Sequence, residues 1–492
     1  MMGFNLTSSF LLTALLGVFG TVVSASAKPT IDPICFLISK AASSATDVYY
    51  PGSPDYIEGI SHYANRSSTQ ISKCVVEPGT AQDVGTIMKI IGAARVPFAV
   101  IGGGHATNPG FSSTTGIHIE MRRFSKVVYD NTKQTATIGA GLIWDDVYAA
   151  LEPYNVKVAG GRVTGIGVAG FILGGGYSWL TNQHGLAIDT VQGFELVTPE
   201  GKILTVTQSL NPDLFFGLKG GSNNFGIVTS FTLRTFPQAQ IWGGIMYVDG
   251  SQMPQVTAAV STFSANATDP KAALLASYVS TLGQLVITLL FFYDGMAPPT
   301  GIFDDLLAIP SFVKDVRSRS YLSLVQSGGD VSHDQRSIYH TISPLQLTPA
   351  LSDVILNETV FWGAQLGPKS AFAVAYAIEP FLPTIYSHNT TPTAFPPTRS
   401  IPFLPFNIWY SWNVSSFDND FHTAARQSAA HIRAAAISQG QLDIAKTPLY
   451  PNYAIFDTPL KDIYGSNLPR LRSIKARIDP RNVMGLAGGF KL

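Results

Sequence analysis

Apolar and polar positions early in the chain follow first the period of a helix and then that of a strand. Apolar residues between 84 and 91 are spaced for one helical face, and Thr80 before them is typical of a capping residue. The apolar run 98–101 predicts a short buried strand, which three glycines and a histidine follow directly at 102–105. Loops at the carboxyl ends of strands are common ligand sites in α/β layers, so this loop is a candidate binding site.

The same patterns predict further elements along the whole chain. Strands are indicated at 117–121, 127–129, 135–138, 194–197, 203–206 and 227–233, and helices at 144–151 and from Asn211 to Phe216. Beyond residue 240 the elements are longer, with a strand at 285–292 and a helix at 420–438 that ends before Gly440. The proline- and threonine-rich stretch 390–405 predicts a loop. The expected fold class is α+β.

A second glycine-rich segment needs its own explanation, because eight of the 17 residues from 160 to 176 are glycine. Each interior glycine costs a helix about 1 kcal/mol, so this segment is not expected to be helical. Residues 165–170 match the dinucleotide fingerprint G-x-G-x-x-G, but the glycines at 174–176 would end its helix too early, and we reject that interpretation. We expect an extended backbone that approaches a flat, polar ligand, with a purely structural glycine cluster as the alternative.

Composition and charge exclude several classes of function. The 32 basic and 32 acidic residues cancel, which leaves no charge excess for binding a nucleic acid or an anionic membrane. Charged residues make up 13% and hydrophobic residues 46% of the 492 residues, a balance typical of a compact chain with a large core. The nine histidines show no metal-ligand spacing and no G-x-S-x-G motif occurs, so neither a metal site nor a serine hydrolase is expected.

The N-terminal residues predict export from the cell. Residues 1–27 resemble a signal peptide, with an apolar run at 10–23 and a cleavage site near Ala27; that run is shorter than the roughly 20 residues of a membrane span. In an oxidising compartment Cys35 and Cys74 predict a disulfide bond, with two separate buried thiols as the alternative. The mature chain contains five acceptor motifs for N-linked glycans, at Asn65, Asn266, Asn357, Asn389 and Asn413.

Several motifs together resemble the berberine bridge enzyme-like oxidases, which belong to the vanillyl-alcohol oxidase and p-cresol methylhydroxylase (PCMH) type of FAD-binding proteins. The resemblance covers nearly the whole mature chain. The matching motifs are G-G-G-H at 102–105, the glycine segment 166–176, G-L-A-x-D-x-V at 185–191, K-G-G to G-I-V at 219–228, Y-P-N-Y at 450–453, Y-G at 464–465 and D-P-R-N-V at 479–483.

This resemblance implies a covalently held FAD, bonded through the 8α-methyl group to His105. Many relatives make a second bond from a cysteine, but Val163 stands at that position, so a single bond is expected. The resemblance implies a two-lobed PCMH-type FAD domain at 28–237, a substrate domain with a helix-covered antiparallel sheet at 238–445, and a segment at 446–492 that returns to the FAD domain. The implied cofactor-binding residues are Gly102, Gly103, Gly104, His105, Ile166, Gly167, Gly170, Gly174, Gly175, Ile227 and Asn452.

The resemblance also suggests which residues carry the chemistry. Trp409 stands where some relatives have an acidic base, so Tyr453 is the first candidate for the general base and Tyr450 the second. An ionised tyrosine at pH 7 costs about 4 kcal/mol unless a cation offsets it, and Arg399 and Lys369 are the candidate cations. A core tyrosine with a bonded hydroxyl is the alternative for Tyr453.

Trp409 and Tyr410 are the candidate substrate-pocket residues. They are neighbours on a predicted strand, so their side chains should point to opposite faces of the sheet. One face is expected to line a pocket, with membership of the core as the alternative for both.

These features predict a secreted FAD-dependent oxidase that passes hydride from a small alcohol, amine or secondary metabolite to the flavin and then to dioxygen. The resemblance puts Ile166 beside the carbon of the flavin that reacts with oxygen. Relatives that oxidise oligosaccharides typically use two flavin bonds, so the single bond favours a small, more apolar substrate. The alternatives are a dehydrogenase with another acceptor, an oxidative cyclase, a carbohydrate oxidase and a binding protein without activity.

Overall fold

The computed structural model describes residues 31–329 and 334–492, and its elements change in character near residue 240. The strands before that point are β1 Asp47–Tyr49, β2 Cys74–Glu77, β3 Phe98–Ile101, β4 Ile117–Glu120, β5 Val127–Asp130, β6 Thr135–Gly139, β7 Val156–Lys157, β8 Val191–Val197, β9 Ile203–Thr207, β10 Ile227–Arg234 and β11 Phe236–Pro237. The helices are α1 Pro33–Ala41, α2 Pro54–Gly59, α3 Asn65–Ser68, α4 Ala81–Ala94, α5 Trp144–Leu151, α6 Val168–Leu173, α7 Thr181–His184, α8 Ala187–Thr190 and α9 Pro212–Leu218.

These strands form two main sheets, one in each lobe of the first part. The first sheet has the order β1-β2-β4-β3, in which β2, β4 and β3 run parallel and β1 is antiparallel. The second is an antiparallel sheet with the order β5-β6-β10-β8-β9. Helix α4 joins β2 to β3 and begins where the hydroxyl of Thr80 accepts a bond from the N–H of Asp83, which confirms the predicted cap. The parallel strand β3 thus ends at the glycine–histidine loop.

Helix α6 corrects one expectation, because it lies inside the glycine segment that we did not expect to be helical. It is six residues long and runs only from Gly167, its N-cap, to Gly174, its C-cap, with Gly170 as its one interior glycine. Val168 and Ile172 are fully buried, and this packing offsets the cost of a single glycine. The helix is still too short for a dinucleotide-binding turn, in line with our rejection of that fingerprint.

The second part of the chain is built on one large sheet. Its strands are β12 Ile241–Asp249, β13 Ala272–Thr281, β14 Gln284–Tyr293, β15 Val313–Arg319, β16 Arg336–Ile342, β17 Ala371–Ile378 and β18 Phe406–Trp412, and its helices are α10 Met253–Asn266, α11 Asp304–Leu307, α12 Tyr321–Val325, α13 Pro349–Leu366 and α14 Asp418–Ser438. The seven strands are antiparallel in the order β15-β12-β14-β13-β17-β18-β16, and α13 and α14 pack on the sheet. This architecture confirms the predicted fold class.

The last part of the chain packs back on the first. It contains α15 Leu460–Tyr464 and α16 Leu468–Ile478. Helix α16 lies against α9, where Arg470 and Arg477 both pair with Asp213, at 2.9 and 2.6 Å. The C-terminal helices are therefore held against the first part of the chain.

A disulfide joins Cys35 on α1 to Cys74 on β2, and both residues are fully buried. This bond confirms the predicted pairing. The predicted signal peptide at 1–27 lies outside the described residues. Among the helices of the described ranges, none has the length and apolarity required to cross a membrane.

We expect the double substitution Cys35→Ala and Cys74→Ala to lower the free energy of unfolding by about 4 kcal/mol, the loop-closure value for residues this far apart in sequence. The two cysteines are 39 residues apart. Urea denaturation of the variant and of the wild type, followed by circular dichroism, measures the difference. Wild type unfolded in the presence of a reductant is the control and should resemble the variant. Equal midpoints for variant and oxidised wild type would contradict a stabilising bond.

Candidate functional site

The two glycine-rich segments touch each other through their bare backbones. A Cβ placed on Gly103 would lie 2.4 Å from the Cα of Gly167, and one placed on Gly167 would lie 2.6 Å from the nitrogen of Gly103. Neighbouring Gly102 would bring a Cβ to 2.9 Å from the carbonyl oxygen of Ala140, and Gly104 adopts a φ of +66°. Only glycine allows this approach, so the two segments form a single backbone surface.

The Y-P-N-Y motif sits against the same glycine segment. A Cβ on Gly174 would lie 2.1 Å from Oδ1 of Asn452, and Gly175 has a φ of +125°. The amide of Asn452 donates to the carbonyl of Phe171 at 3.2 Å and to the hydroxyl of Tyr450 at 2.9 Å. The residue Asn452 is exposed in the structure. The C-terminal part of the chain therefore completes the glycine surface.

His105 lies beside a cavity of about 190 Å³, and its ring is held in a row of aromatic side chains. It stacks on Tyr63 with ring centres 4.0 Å apart, while Tyr339 lies 6.4 Å away on β16. The N–H of Tyr63 donates to the carbonyl of Gly104 at 3.0 Å. The residues that line the cavity are Ser61, His62, Tyr63, Gly103, His105, Thr164 and Gly165.

Tyr453 continues this aromatic row and joins a buried ion pair. Its ring centre lies 6.1 Å from that of Tyr339. Its hydroxyl donates to Oε1 of Glu379 at 2.9 Å and accepts from Nη2 of Arg162 at 3.1 Å. The same Nη2 lies 2.6 Å from Oε2 of Glu379. The hydroxyl of the half-buried Tyr453 thus contacts both a carboxylate and a cation.

Burial, together with the charge of Glu379, raises the pKa of Tyr453 well above its ordinary value, while Arg162 acts in the opposite direction. The hydroxyl is therefore neutral at physiological pH. Tyr453 can take up a proton only if it gives its own proton to another group at the same time, and Glu379 is the acceptor within hydrogen-bond distance.

Tyr450 has a different environment from Tyr453. Its oxygen accepts a bond from the N–H of Gly176 at 3.1 Å as well as the bond from Asn452. Burial raises its pKa to about 12, and these two bonds only partly counteract that rise. The hydroxyl of Tyr450 therefore serves to fasten the C-terminal segment to the glycine surface.

The two candidate pocket residues lie on opposite faces of the large sheet, as their alternation predicts. Trp409 is paired with Tyr339 across the β18–β16 ladder, on the side that carries the aromatic row, and its Nε1 donates to Ser337 at 2.6 Å. Tyr410 faces helix α14, where its hydroxyl bonds to that of Tyr376 at 2.5 Å and is fully buried. Tyr410 is accordingly a core residue and does not share the face of Trp409.

The remaining predicted cofactor residues have less distinctive surroundings. Ile166 is half-buried, and its carbonyl accepts from the N–H of Trp144 at 2.9 Å. Gly170 lies in α6 with no atom within 4 Å of an added Cβ, and Ile227 begins β10 opposite Val197 in the core of the second lobe. These positions show no contact that by itself indicates a ligand.

Neither cation suggested from the sequence reaches Tyr453. Arg399 forms a two-point pair with Asp189, at 2.7 and 3.0 Å, and Lys369 pairs with Asp420 at the start of α14. Both residues satisfy nearby carboxylates, and the cation beside Tyr453 is Arg162 instead.

Sequence reasoning missed Arg162, Glu379, Tyr63 and Tyr339. Two of them carry a weak signal, because Arg162 interrupts a run of small residues and Glu379 closes the apolar strand β17. A single charged residue beside an apolar strand is compatible with many roles, so neither signal would have identified a partner for Tyr453.

Comparison with known proteins assigns the class. The FAD binding domain family model matches residues 72–207, and the berberine and berberine-like family model matches residues 449–487. The first match contains both glycine segments and His105, and the second contains Tyr450, Asn452 and Tyr453. The protein is therefore an FAD-linked oxidoreductase.

Relatives over the full length support a narrower assignment. An uncharacterized FAD-linked oxidoreductase of Arthroderma benhamiae is 31% identical over 93% of this chain and 94% of its own length. The FAD-dependent monooxygenase sdcF of Emericella nidulans is 30% identical over 94% of this chain and 99% of its own. A chitooligosaccharide oxidase has the same fold, with a TM-score of 0.74 at 19% identity over 92% of this chain and 98% of its own. The chain belongs to the berberine bridge enzyme-like family of FAD-linked oxidoreductases.

The glycine surface fits the FAD of this family. Its two segments present backbone that no Cβ covers, a flat polar cofactor needs this kind of surface, and His105 stands at its edge. The exposed residue Asn452 lies at the same surface, and its amide fills the space that a side chain on Gly174 would need. The described residues contain no cluster of ligands for a metal ion.

We expect Gly103→Ala to abolish flavin binding, because the added Cβ would lie 2.4 Å from backbone that cannot move aside. The ratio of flavin absorbance to protein absorbance after purification measures the loss. Gly367→Ala is the matched control, since Gly367 has open space around its Cβ position and lies at the end of α13. Full flavin content in Gly103→Ala would show that the two segments do not form the flavin surface.

Proposed function

We propose that this FAD-dependent oxidoreductase is a secreted oxidase that takes hydride from a small alcohol, amine or secondary metabolite and passes the electrons to dioxygen. The proposal rests on one observation: two of the predicted site residues lie next to the same tyrosine, Tyr339. His105, the expected attachment point of the flavin, and Tyr453, the expected base, flank the ring of Tyr339 at 6.4 and 6.1 Å. The disulfide is compatible with the secretion that the signal peptide predicts.

Gly102, Gly103 and Gly104 with the segment 166–175 would hold the cofactor, and His105 would bond to it covalently. When bound, the flavin supplies hydride acceptance and electron transfer to dioxygen. A single covalent bond is expected because Val163 stands in place of the second ligand. The tether prevents loss of the cofactor outside the cell.

Tyr453 removes the substrate proton in this proposal. The oxygen of Tyr453 accepts the proton while its own proton moves to Oε1 of Glu379, 2.9 Å away. This coupled transfer avoids a resting tyrosinate, whose formation burial opposes. The objection that an ionised tyrosine is costly at pH 7 therefore does not apply to this mechanism.

The substrate is expected to be small and weakly charged. Trp409 and Tyr339 present aromatic surface on the sheet face against which Tyr453 lies. The nearby carboxylate, Glu379, is already paired with Arg162. Aromatic walls favour flat, apolar molecules through burial and ring stacking.

His105→Ala is expected to release the flavin when the protein is precipitated with acid, while the wild-type pellet stays yellow. Absorbance of pellet and supernatant measures the bound fraction. His431→Ala, which changes a largely exposed histidine on α14, is the control and should keep its flavin. A colourless wild-type pellet would rule out the covalent bond and leave the rest of the site intact.

Tyr453→Phe is expected to slow anaerobic reduction of the flavin by about 10²-fold, the usual minimum for a general base. Stopped-flow absorbance measures the rate with the best substrate from a screen of alcohols, amines, sugars and polyketides. Tyr154→Phe alters an exposed tyrosine and should leave the rate unchanged. An unchanged rate in Tyr453→Phe would show that a different residue removes the substrate proton.

Oxygen insertion is a second candidate reaction, because fungal relatives over nearly the full chain are named monooxygenases. The two reactions differ in their products. An oxidase forms one hydrogen peroxide per substrate oxidised, whereas oxygen insertion leaves labelled oxygen in the product when the reaction runs under ¹⁸O₂. Slow reoxidation in air, with rapid reduction, would instead indicate a dehydrogenase.

A further inference from the structure

Arg162 belongs to the glycine segment of the flavin surface, yet its side chain reaches the proton-accepting group. Its Nη2 contacts both Oε2 of Glu379, at 2.6 Å, and the hydroxyl of Tyr453, at 3.1 Å. Its backbone is fixed as well, because Nε1 of Trp179 donates to the carbonyl of Arg162 at 3.0 Å. One residue therefore connects the flavin surface to Glu379 and Tyr453.

The ion pair of Arg162 and Glu379 is shielded from water. The two side chains are 7% and 0% exposed, and the guanidinium carbon lies 5.9 Å from the ring centre of Trp179 and 5.5 Å from that of Phe381. Burial by itself would lower the pKa of Arg162, but the charge and hydrogen bond of Glu379, together with Tyr453 and Tyr450, outweigh burial and raise it. A carboxylate this deeply buried keeps its charge only beside a cation.

The other ionisable groups that face Glu379 are hydroxyls. Burial raises the pKa of four tyrosines, which are therefore neutral, and the negative charge of Glu379 adds to the rise: Tyr177, Tyr386, Tyr450 and Tyr453. A neutral hydroxyl donates a hydrogen bond but supplies no positive charge. Among the described residues, the cation paired with Glu379 is Arg162.

We propose that Arg162 is a positioning residue that keeps Glu379 ionised and oriented to receive the proton of Tyr453. The proposal rests on the proposed function, in which Tyr453 accepts the substrate proton. One proton leaves the substrate for the oxygen of Tyr453 as another leaves that oxygen for Glu379, and no electrons move in this transfer. The bond from Nη2 to the tyrosine oxygen stabilises the negative charge that develops there during the exchange.

The pH dependence of flavin reduction distinguishes this role from a merely structural one. Arg162→Gln leaves Glu379 without a cation, which favours the protonated carboxyl, so the acidic limb of the rate profile should move up to about pH 9, the upper end of the range known for buried carboxyls. At pH 7 the rate should fall by about 10²-fold, because the protonated carboxyl cannot accept. Arg162→Lys keeps a charge and should shift the limb less than half as far. Arg426→Gln, which breaks an exposed ion pair, should leave the profile unchanged.

An acidic limb at the same pH in Arg162→Gln and wild type would overturn the proposal. If Arg162→Gln does not fold, the double variant Arg162→Gln/Glu379→Gln removes both charges and avoids an unpaired buried one. It should reduce the flavin slowly and show no acidic limb, and a limb that persists would also overturn the proposal.

Infrared spectroscopy tests Arg162 without any substrate and so separates its failure from that of the proposed function. With ¹³C-labelled glutamate at pH 7, the difference spectrum of Arg162→Gln minus wild type should show one additional protonated buried carboxyl, which the double variant lacks; the buried Glu120, whose pKa burial raises to about 8, contributes equally to all three proteins and cancels. Folded Arg162→Gln without this signal contradicts the proposal, even if no substrate reduces the flavin. If the signal is present and the screen finds no substrate, the assignment of Arg162 is supported and the proposed reaction is wrong.

Discussion

The backbone contact between Gly103 and Gly167 is the constraint on which the rest of the site depends. The loop after β3 and the segment before α6 can meet only because neither residue carries a side chain. Their contact fixes the positions of the residues next to the two segments. The first segment ends in His105, and the second begins beside Arg162. His105, the proposed attachment point for the flavin, and the cation of the buried ion pair are thereby held relative to each other by main-chain geometry.

The proposed proton-accepting group is assembled from three distant parts of the chain. Arg162 comes from the flavin-binding part, Glu379 follows β17 of the large sheet, and Tyr453 comes from the C-terminal segment. The C-terminal segment is itself fastened to the glycine surface by Tyr450 and Asn452. The group consequently requires all three parts to be packed together, which in the proposed function would couple correct packing to proton transfer.

Sequence patterns predicted the parts of the molecule that depend on local physics. Helix α4, its cap at Thr80 and the buried strand β3 follow from periodicity and turn chemistry over a few residues. Helix α6 was missed because its two buried apolar residues outweigh one glycine, which is a tertiary effect. The family motifs led to Tyr453, whereas its partners could not be found, since Arg162 and Glu379 are separated from it by 291 and 74 residues.

The fold also explains why the sequence did not identify the cation beside Tyr453. Arg399 and Lys369 were reasonable cations for Tyr453, but each has a carboxylate nearer to it in the fold. Long-range pairing is decided by the path of the backbone, which places Arg162 next to Glu379 and leaves the other cations elsewhere. Composition states only that charges balance overall.

The charges around Tyr453 favour a neutral resting tyrosine. A resting tyrosinate would put a second negative charge 2.9 Å from Glu379, with one arginine to neutralise both. Two like charges this close in a buried site repel strongly, so the group holds one negative charge that the tyrosine and the carboxylate share during transfer. An anionic substrate would restore that repulsion. In the proposed function, the same electrostatics that keep the tyrosine protonated at rest would therefore disfavour an anionic substrate.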